Sequence, residues 1–211
     1  MSNVESNLSS SREPPPGISG QWVYANSGND DQPWLSLEPI KYYTDAYIIQ
    51  DNKILLGYKK RGFGKDMYNG FGGKVEPGET SLEAANRELQ EEAGIEAPLR
   101  LAGSFLFLNE GDDHTFHIDL YRADEYTGTI SETDEMRPEW FAIPPELATP
   151  QGNSNSREEV PPIPYDEMWG TDHQWLPFLM AGTPFIGRAD FIKEGTKFVP
   201  KRWWFGTRDS L

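Results

Sequence analysis

The chain has 211 residues, no cysteine and a formal charge of −15. That length suits one domain with a full core, the absence of thiols excludes disulfides and thiolate metal sites, and the charge makes a polyanionic duplex a poor bulk partner, because duplex binding needs a basic footprint. No run is long and apolar enough for a membrane span. The Ser-rich, acid-bearing start lacks the apolar centre of a signal peptide. A cytoplasmic monomer is expected, with nucleus and mitochondrion as alternatives. A small anionic substrate stays open if metal ions and a local cationic patch reverse the field at one site.

In chain order, residues 1–20 are expected to form a disordered tail, since Ser, Asn and Pro dominate without periodicity. Residues 21–41 carry Trp22, Tyr24, Trp34 and Leu35 and read as a partly ordered arm. The domain is expected over 42–211. TDAYIIQDNKILLGYKK predicts two strands around a polar turn at 50–53, and RGFGKDMYNGFGGK a glycine-rich loop. After a helix, LRLAGSFLFLNE and HTFHIDLYRA read as strands around the turn EGDD, and DEMRPEWFAI as a loop and strand. Residues 144–164 are polar and Pro-rich, a long surface loop. YDEMWGTDHQWLPFLMAG suits a second amphipathic helix, and the tail from Phe185 adds strands. Strands before, between and after two helices predict one α/β layered domain.

The first helix carries the chemistry. Thr80 and Glu83 form a capping box, Gly94 is a C-terminal stop, and Leu82, Ala85 and Leu89 form the expected buried stripe. Glu88, Glu91 and Glu92 stand at i, i+3 and i+4 and share another face, near the helix end whose partial charge is already negative. A hard divalent cation relieves that repulsion, and oxygen ligands with a phosphate chain are what Mg²⁺ prefers. Gly70, Gly72 and Gly73 let the backbone approach such a site.

Gly73, Glu79 and the run Arg87-Glu88-Leu89-Gln90-Glu91-Glu92-Ala93-Gly94-Ile95, at these spacings, match every position of the Nudix box, so the chain resembles the Nudix hydrolases. The resemblance implies a Nudix fold, a mixed β-sheet sandwiched between α-helices, and Mg²⁺-dependent hydrolysis of a nucleoside diphosphate linked to another group, with Mn²⁺ as a substitute. It implies Glu88, Glu91 and Glu92 as metal ligands, one of them acting as base, with Arg87 and Glu79 orienting them and the Gly72 or Gly73 carbonyl completing the shell.

KKRGFG, NGFGGKV, RELQEE, DEMRPEWF and the region of Trp169 and Trp175 are similar to the oxidised purine nucleoside triphosphatases of the 8-oxo-dGTP diphosphatase type. This implies hydrolysis of 8-oxo-dGTP- or 2-hydroxy-dATP-like nucleotides to monophosphate and pyrophosphate, cleaning the nucleotide pool and preventing DNA damage. It implies Asn69 on the base edge, Trp169 stacked on the purine, and Phe63, Phe107 and Thr44 lining the pocket. It implies Glu135 as a further catalytic or metal-linked acid, with Lys59, and with it Lys60 and Arg61, expected to supply local positive charge. Where that group has paired aspartates after its Trp-Pro, this chain has Trp169-Gly170-Thr171-Asp172. Asp172 is then left to read the purine with Asn69 and Thr171, and a narrower choice between oxidised guanine and oxidised adenine is expected. Competing readings are another Nudix substrate (an undamaged triphosphate, a dinucleoside polyphosphate or an RNA cap) and a non-catalytic nucleotide-binding module.

Overall fold

A computed structural model describes residues 13–148, 160–195 and 197–209. Alternation of apolar and polar residues builds one large sheet: β1 (Val23–Gly28), β2 (Ile40–Gln50), β3 (Lys53–Lys59), β4 (Tyr68–Asn69), β6 (Arg100–Asn109), β7 (Thr115–Ala123), β9 (Met136–Ala142), β10 (Phe185–Glu194) and β11 (Lys197–Thr207). Its order is β1-β11-β10-β6-β7-β2-β3-β4, with β9 also on β3. The pairs β2–β7 and β10–β6 are parallel and the others antiparallel, so the sheet is mixed. A minor ladder joins β5 (Ile95–Glu96) to β8 (Thr127–Gly128). The β2–β3 hairpin turns through Asp51 and Asn52, both at positive φ (51° and 58°), as a tight two-residue turn requires.

Two helices cover opposite faces. α1 (Ser81–Ala93) starts at the expected capping box, with the Glu83 amide donating to Thr80 Oγ1 at 3.2 Å and the Thr80 amide to Glu83 Oε2 at 2.7 Å. It ends on left-handed Gly94, φ 73°. Its packing face differs in one place from the expected stripe. Leu82, in the first turn, is 42% exposed, and the small Ala84, Ala85 and Ala93 join Leu89 in the core, which lets the helix lie close to β2. α2 (Asp172–Ala181) is shorter than its sequence suggests. Residues Tyr165–Glu167 form a separate 3-10 turn, and Pro177 sits inside the helix. Proline there removes one backbone hydrogen bond, and burial of Trp175, Leu176, Leu179 and Met180 against the sheet holds the helix.

The expected tail and arm behave as part of the sheet from early on. Residues 1–12 lie outside the described residues, but Pro15 is buried and β1 pairs with β11. The arm lies over β6 and β10, where Arg188 and Asp190 are both fully buried and form a two-pronged ion pair at 2.8 and 2.9 Å. Arg188 also donates to the carbonyls of Pro16 (2.8 Å) and Leu35 (2.6 Å), and Asp190 accepts from the Leu35 amide at 2.6 Å. Trp34 packs between Arg188 and Arg202, at 4.8 and 4.4 Å from its ring. Of the expected surface loop, 149–159 lie outside the described residues. Its ends meet, because Ala142 donates to the Pro161 carbonyl at 2.8 Å and Ile163 is buried.

Removing one partner of a buried ion pair leaves an uncompensated charge. Asp190→Ala is therefore expected to lower stability by about 3–5 kcal/mol in urea unfolding and to expose residues 15–36 to limited proteolysis.

Candidate active site

The carboxyl of Glu92, on the last turn of α1, points inward and is 3% exposed. It accepts from the Gly72 amide at 2.9 Å and from Lys59 Nζ at 3.2 Å. Lys59, at the end of β3, also reaches Glu135 Oε1 at 3.0 Å, and Arg61 holds the other Glu135 oxygen at 2.7 Å. Burial pushes the Glu92 carboxyl up to about 7 against the opposing pull of Lys59 and the Gly72 amide. The neighbouring carboxylates raise Lys59 despite its own burial.

Arg87 organises the other side. Its fork grips Glu79 at 2.7 and 3.2 Å, one nitrogen donates to the Lys74 carbonyl at 3.2 Å, and another donates to Glu88 Oε1 at 2.7 Å. Glu91 lies 3.6 Å from Arg87, and its side chain is 60% exposed. The three helix acids thus span an arc from core to solvent rather than one uniform face. Gly73 lies so close to Glu88 that a Cβ there would fall 2.3 Å from Glu88 Oε1 and displace that carboxyl. Its carbonyl takes the Thr44 amide at 2.9 Å, whereas the Gly72 carbonyl has no backbone donor among the described residues. Among the described residues, no three acidic or histidine side chains are gathered as a metal cluster. Each carboxylate is held by a cation or an amide.

A cavity of about 450 Å³ runs from this end, at Lys59, Glu135, Gly72 and Gly73, to an aromatic end at Phe63, Asn69 and Trp169. Phe63 stacks on Trp169, with centroids 5.2 Å apart and planes at 26°, and Phe107 meets Trp169 edge-on at 4.8 Å. The Asn69 side chain lines the cavity without a hydrogen bond among the described residues. The Thr44 hydroxyl, also on the cavity, is buried without a partner. Asp172, at the start of α2, is 4% exposed. Its oxygens accept from the Trp169 amide at 3.0 Å and the Trp175 indole at 3.1 Å. Burial outweighs both donors and lifts its carboxyl to about 8, with Asp45 adding to the rise.

Residues 41–161 match the NUDIX domain family model. The chain belongs to the Nudix family. It is 38% identical over 152 residues to the oxidized purine nucleoside triphosphate hydrolase of Danio rerio, covering 72% of this chain and 86% of that protein. Against the Mus musculus protein of the same name it is 35% identical over 157 residues, covering 74% and 90%. The crystal structure of a MutT mutator protein from Bacillus halodurans shares the fold, with a TM-score of 0.55 at 20% identity, over 81% of this chain and 99% of that one.

In this Nudix hydrolase the structure brings Glu79, Arg87, Glu88, Glu92, Glu135 and Lys59 to one end of the site. Asn69, Trp169, Phe63, Phe107, Thr44 and Asp172 line the cavity. Thr171 needs correction. It is 1% exposed, sits just before α2 and is not among the residues that line the cavity, whereas Asp172 is. Asp45 and Tyr47 are among the cavity residues that escaped the sequence reading. On β2 they share one face with Tyr43 and Ile49, and an acid on an otherwise aromatic and aliphatic strand face was the available signal.

The Asp172 shift has a defined sign. A carboxyl raised in the folded state adds stability in full below its unfolded value near 3.9, and loses it as pH rises through about 8. Wild-type urea midpoints in metal-free buffer are expected to fall between pH 5 and 9. Asp172→Asn is expected to flatten that slope, by at most about 1.4 kcal/mol per pH unit.

Proposed function

We propose that this Nudix hydrolase cleaves oxidised purine nucleoside triphosphates of the 8-oxo-dGTP and 2-hydroxy-dATP type to monophosphate and pyrophosphate, using Mg²⁺. The purpose would be removing damaged precursors from the nucleotide pool. The observation that carries this is one cavity joining an acid-and-glycine end to an aromatic end lined by the Asn69 amide. A triphosphate has one polyanionic end and one flat, hydrogen-bonding end, and the two halves of the cavity match them. The names of the zebrafish and mouse relatives support the same substrate class.

Glu88, Glu91, Glu92, Glu135 and the Gly72 carbonyl would hold the metal. This all-oxygen set suits a hard cation, and Gly72 is preferred over Gly73 because its carbonyl is not already taken. Bound Mg²⁺ would neutralise charge on the phosphate oxygens and acidify a water. The protein's own part is positioning. The Glu79–Arg87 fork fixes Glu88, and Lys59 keeps positive charge beside Glu92 and Glu135. Glu91, the most open of the helix acids, is the best placed to take a proton from an entering water.

At the other end Trp169 would stack on the purine and Asn69 would read its edge, since an amide offers both donor and acceptor. Rings sandwiching a purine stand about 7 Å apart, twice the ~3.5 Å carbon contact distance. Phe63 stacks on Trp169 at only 5.2 Å, so it must move to admit a base there. Phe63 is half exposed and sits between Gly62 and Gly64, both at positive φ.

Two outcomes test this reading. Purified protein is expected to release pyrophosphate from 8-oxo-dGTP or 2-hydroxy-dATP far faster than from dGTP or dATP, and only with a divalent cation. In the same assay Glu91→Gln, an exposed change that leaves the fold alone, is expected to lower kcat by about 10²–10⁴. A preference for dinucleoside polyphosphates or capped RNA in a substrate panel would overturn it.

A further inference from the structure

Asp45 is a carboxyl outside the helix glutamates, within electrostatic reach of Lys59 and Glu88 and hydrogen-bonded to Tyr47. It lies on β2 between Tyr43 and Tyr47, on the strand face that packs into the α2-side core. A half-buried carboxyl on this face carries a desolvation penalty that a purely packing role would not require. It lines the cavity with Asp172, Asn69 and Trp169. The Tyr47 phenol sits beside it and beside the Gly70 amide. Gly72 approaches it so closely that a Cβ there would lie 2.7 Å from Asp45 Oδ1, so the carboxyl lies close against the glycine loop. Asp172, by contrast, already accepts the Trp169 amide and the Trp175 indole. Of the two acids, Asp45 has more unused hydrogen-bonding capacity facing the cavity.

We propose that Asp45 is a specificity-determining residue that reads the purine edge together with Asp172, so that the pair of acids comes from β2 and α2 rather than from adjacent positions at the start of α2. This rests on the oxidised-purine reading above. Oxidation changes the pattern of ring N–H and carbonyl groups on a purine: 8-oxoguanine presents an N7–H where guanine presents an acceptor. A carboxylate accepts such an N–H and repels a lone pair. Sites built around a hydrogen bond reject analogues lacking the partner by large factors. Thr171, which is not among the residues that line the cavity, leaves room for this arrangement without contributing to it.

The test compares wild type, Asp45→Asn and Asp45→Leu, each confirmed folded by thermal melting. The ratio of kcat/KM for 8-oxo-dGTP over 2-hydroxy-dATP is expected to change tenfold or more in Asp45→Leu and less in Asp45→Asn, mainly through KM. The Mg²⁺ concentration giving half-maximal rate should stay unchanged. Calorimetric binding of 8-oxo-dGMP in EDTA should weaken by a similar factor, separating base reading from metal chemistry. Equal losses on both substrates, an altered Mg²⁺ requirement, or unchanged 8-oxo-dGMP binding would overturn the inference while leaving the parent reading intact. Wild type inactive on both oxidised substrates would overturn the parent reading and this inference with it.

Discussion

The buried Glu92 carboxylate, held by the Gly72 amide and Lys59, ties together four parts of the chain that the active site needs in one place. Glu92 brings the end of α1, Gly72 the glycine loop after β4, Lys59 the end of β3, and Lys59 in turn brings Glu135 from the start of β9. Each partner is separately weak evidence of function. A buried carboxylate next to an ammonium is a costly arrangement unless every remaining site is satisfied. Here the backbone amide and the second acid supply that satisfaction. The repulsion implied by three clustered glutamates in the sequence is thus met by fixed cations on both flanks, Arg87 on one side and Lys59 on the other.

That arrangement also explains how a chain of charge −15 can host a polyanion. The field that matters is local. Lys59, Arg61 and Arg87 stand beside the acids, so the site is a mixed-charge cluster rather than a bare acidic patch. A divalent cation entering such a cluster competes with ammonium and guanidinium groups for the same oxygens. The displaced cations would then be free to face phosphate, which converts internal neutralisation into substrate attraction.

Much of this was legible in the sequence because it is local. Thr80 and Glu83 fix where α1 begins, Gly94 fixes where it ends, and the i, i+3, i+4 spacing of Glu88, Glu91 and Glu92 follows once the helix is known. Asn69 and Trp169 were reachable only through resemblance, since nothing in their neighbourhoods distinguishes a ligand-facing side chain from a packed one. Thr171 was misplaced because sequence adjacency to Asp172 says nothing about which of two neighbours faces a cavity at a helix start. Asp45 was readable in principle from strand alternation, but an acid in the middle of a strand looks the same as a solvent-facing one until the other wall is known.

The Arg188–Asp190 pair was illegible for a different reason: its backbone partner Leu35 lies 153 residues away. Its place in the fold follows from the sheet. Nine strands make a face wider than one helix can cover, and α1 packs chiefly on the β2 side. An extended arm is an imperfect substitute for a helix, because its backbone groups are not bonded to one another. Laid over β10, the partly covered Pro16 and Leu35 carbonyls and the Leu35 amide find their partners in a forked guanidinium paired with a carboxylate, which provides donors and an acceptor at one spot. The ion pair is therefore better understood as a device for satisfying an irregular backbone than as an electrostatic clamp. That is why both of its residues sit on the strand beneath the arm and neither sits on the arm itself.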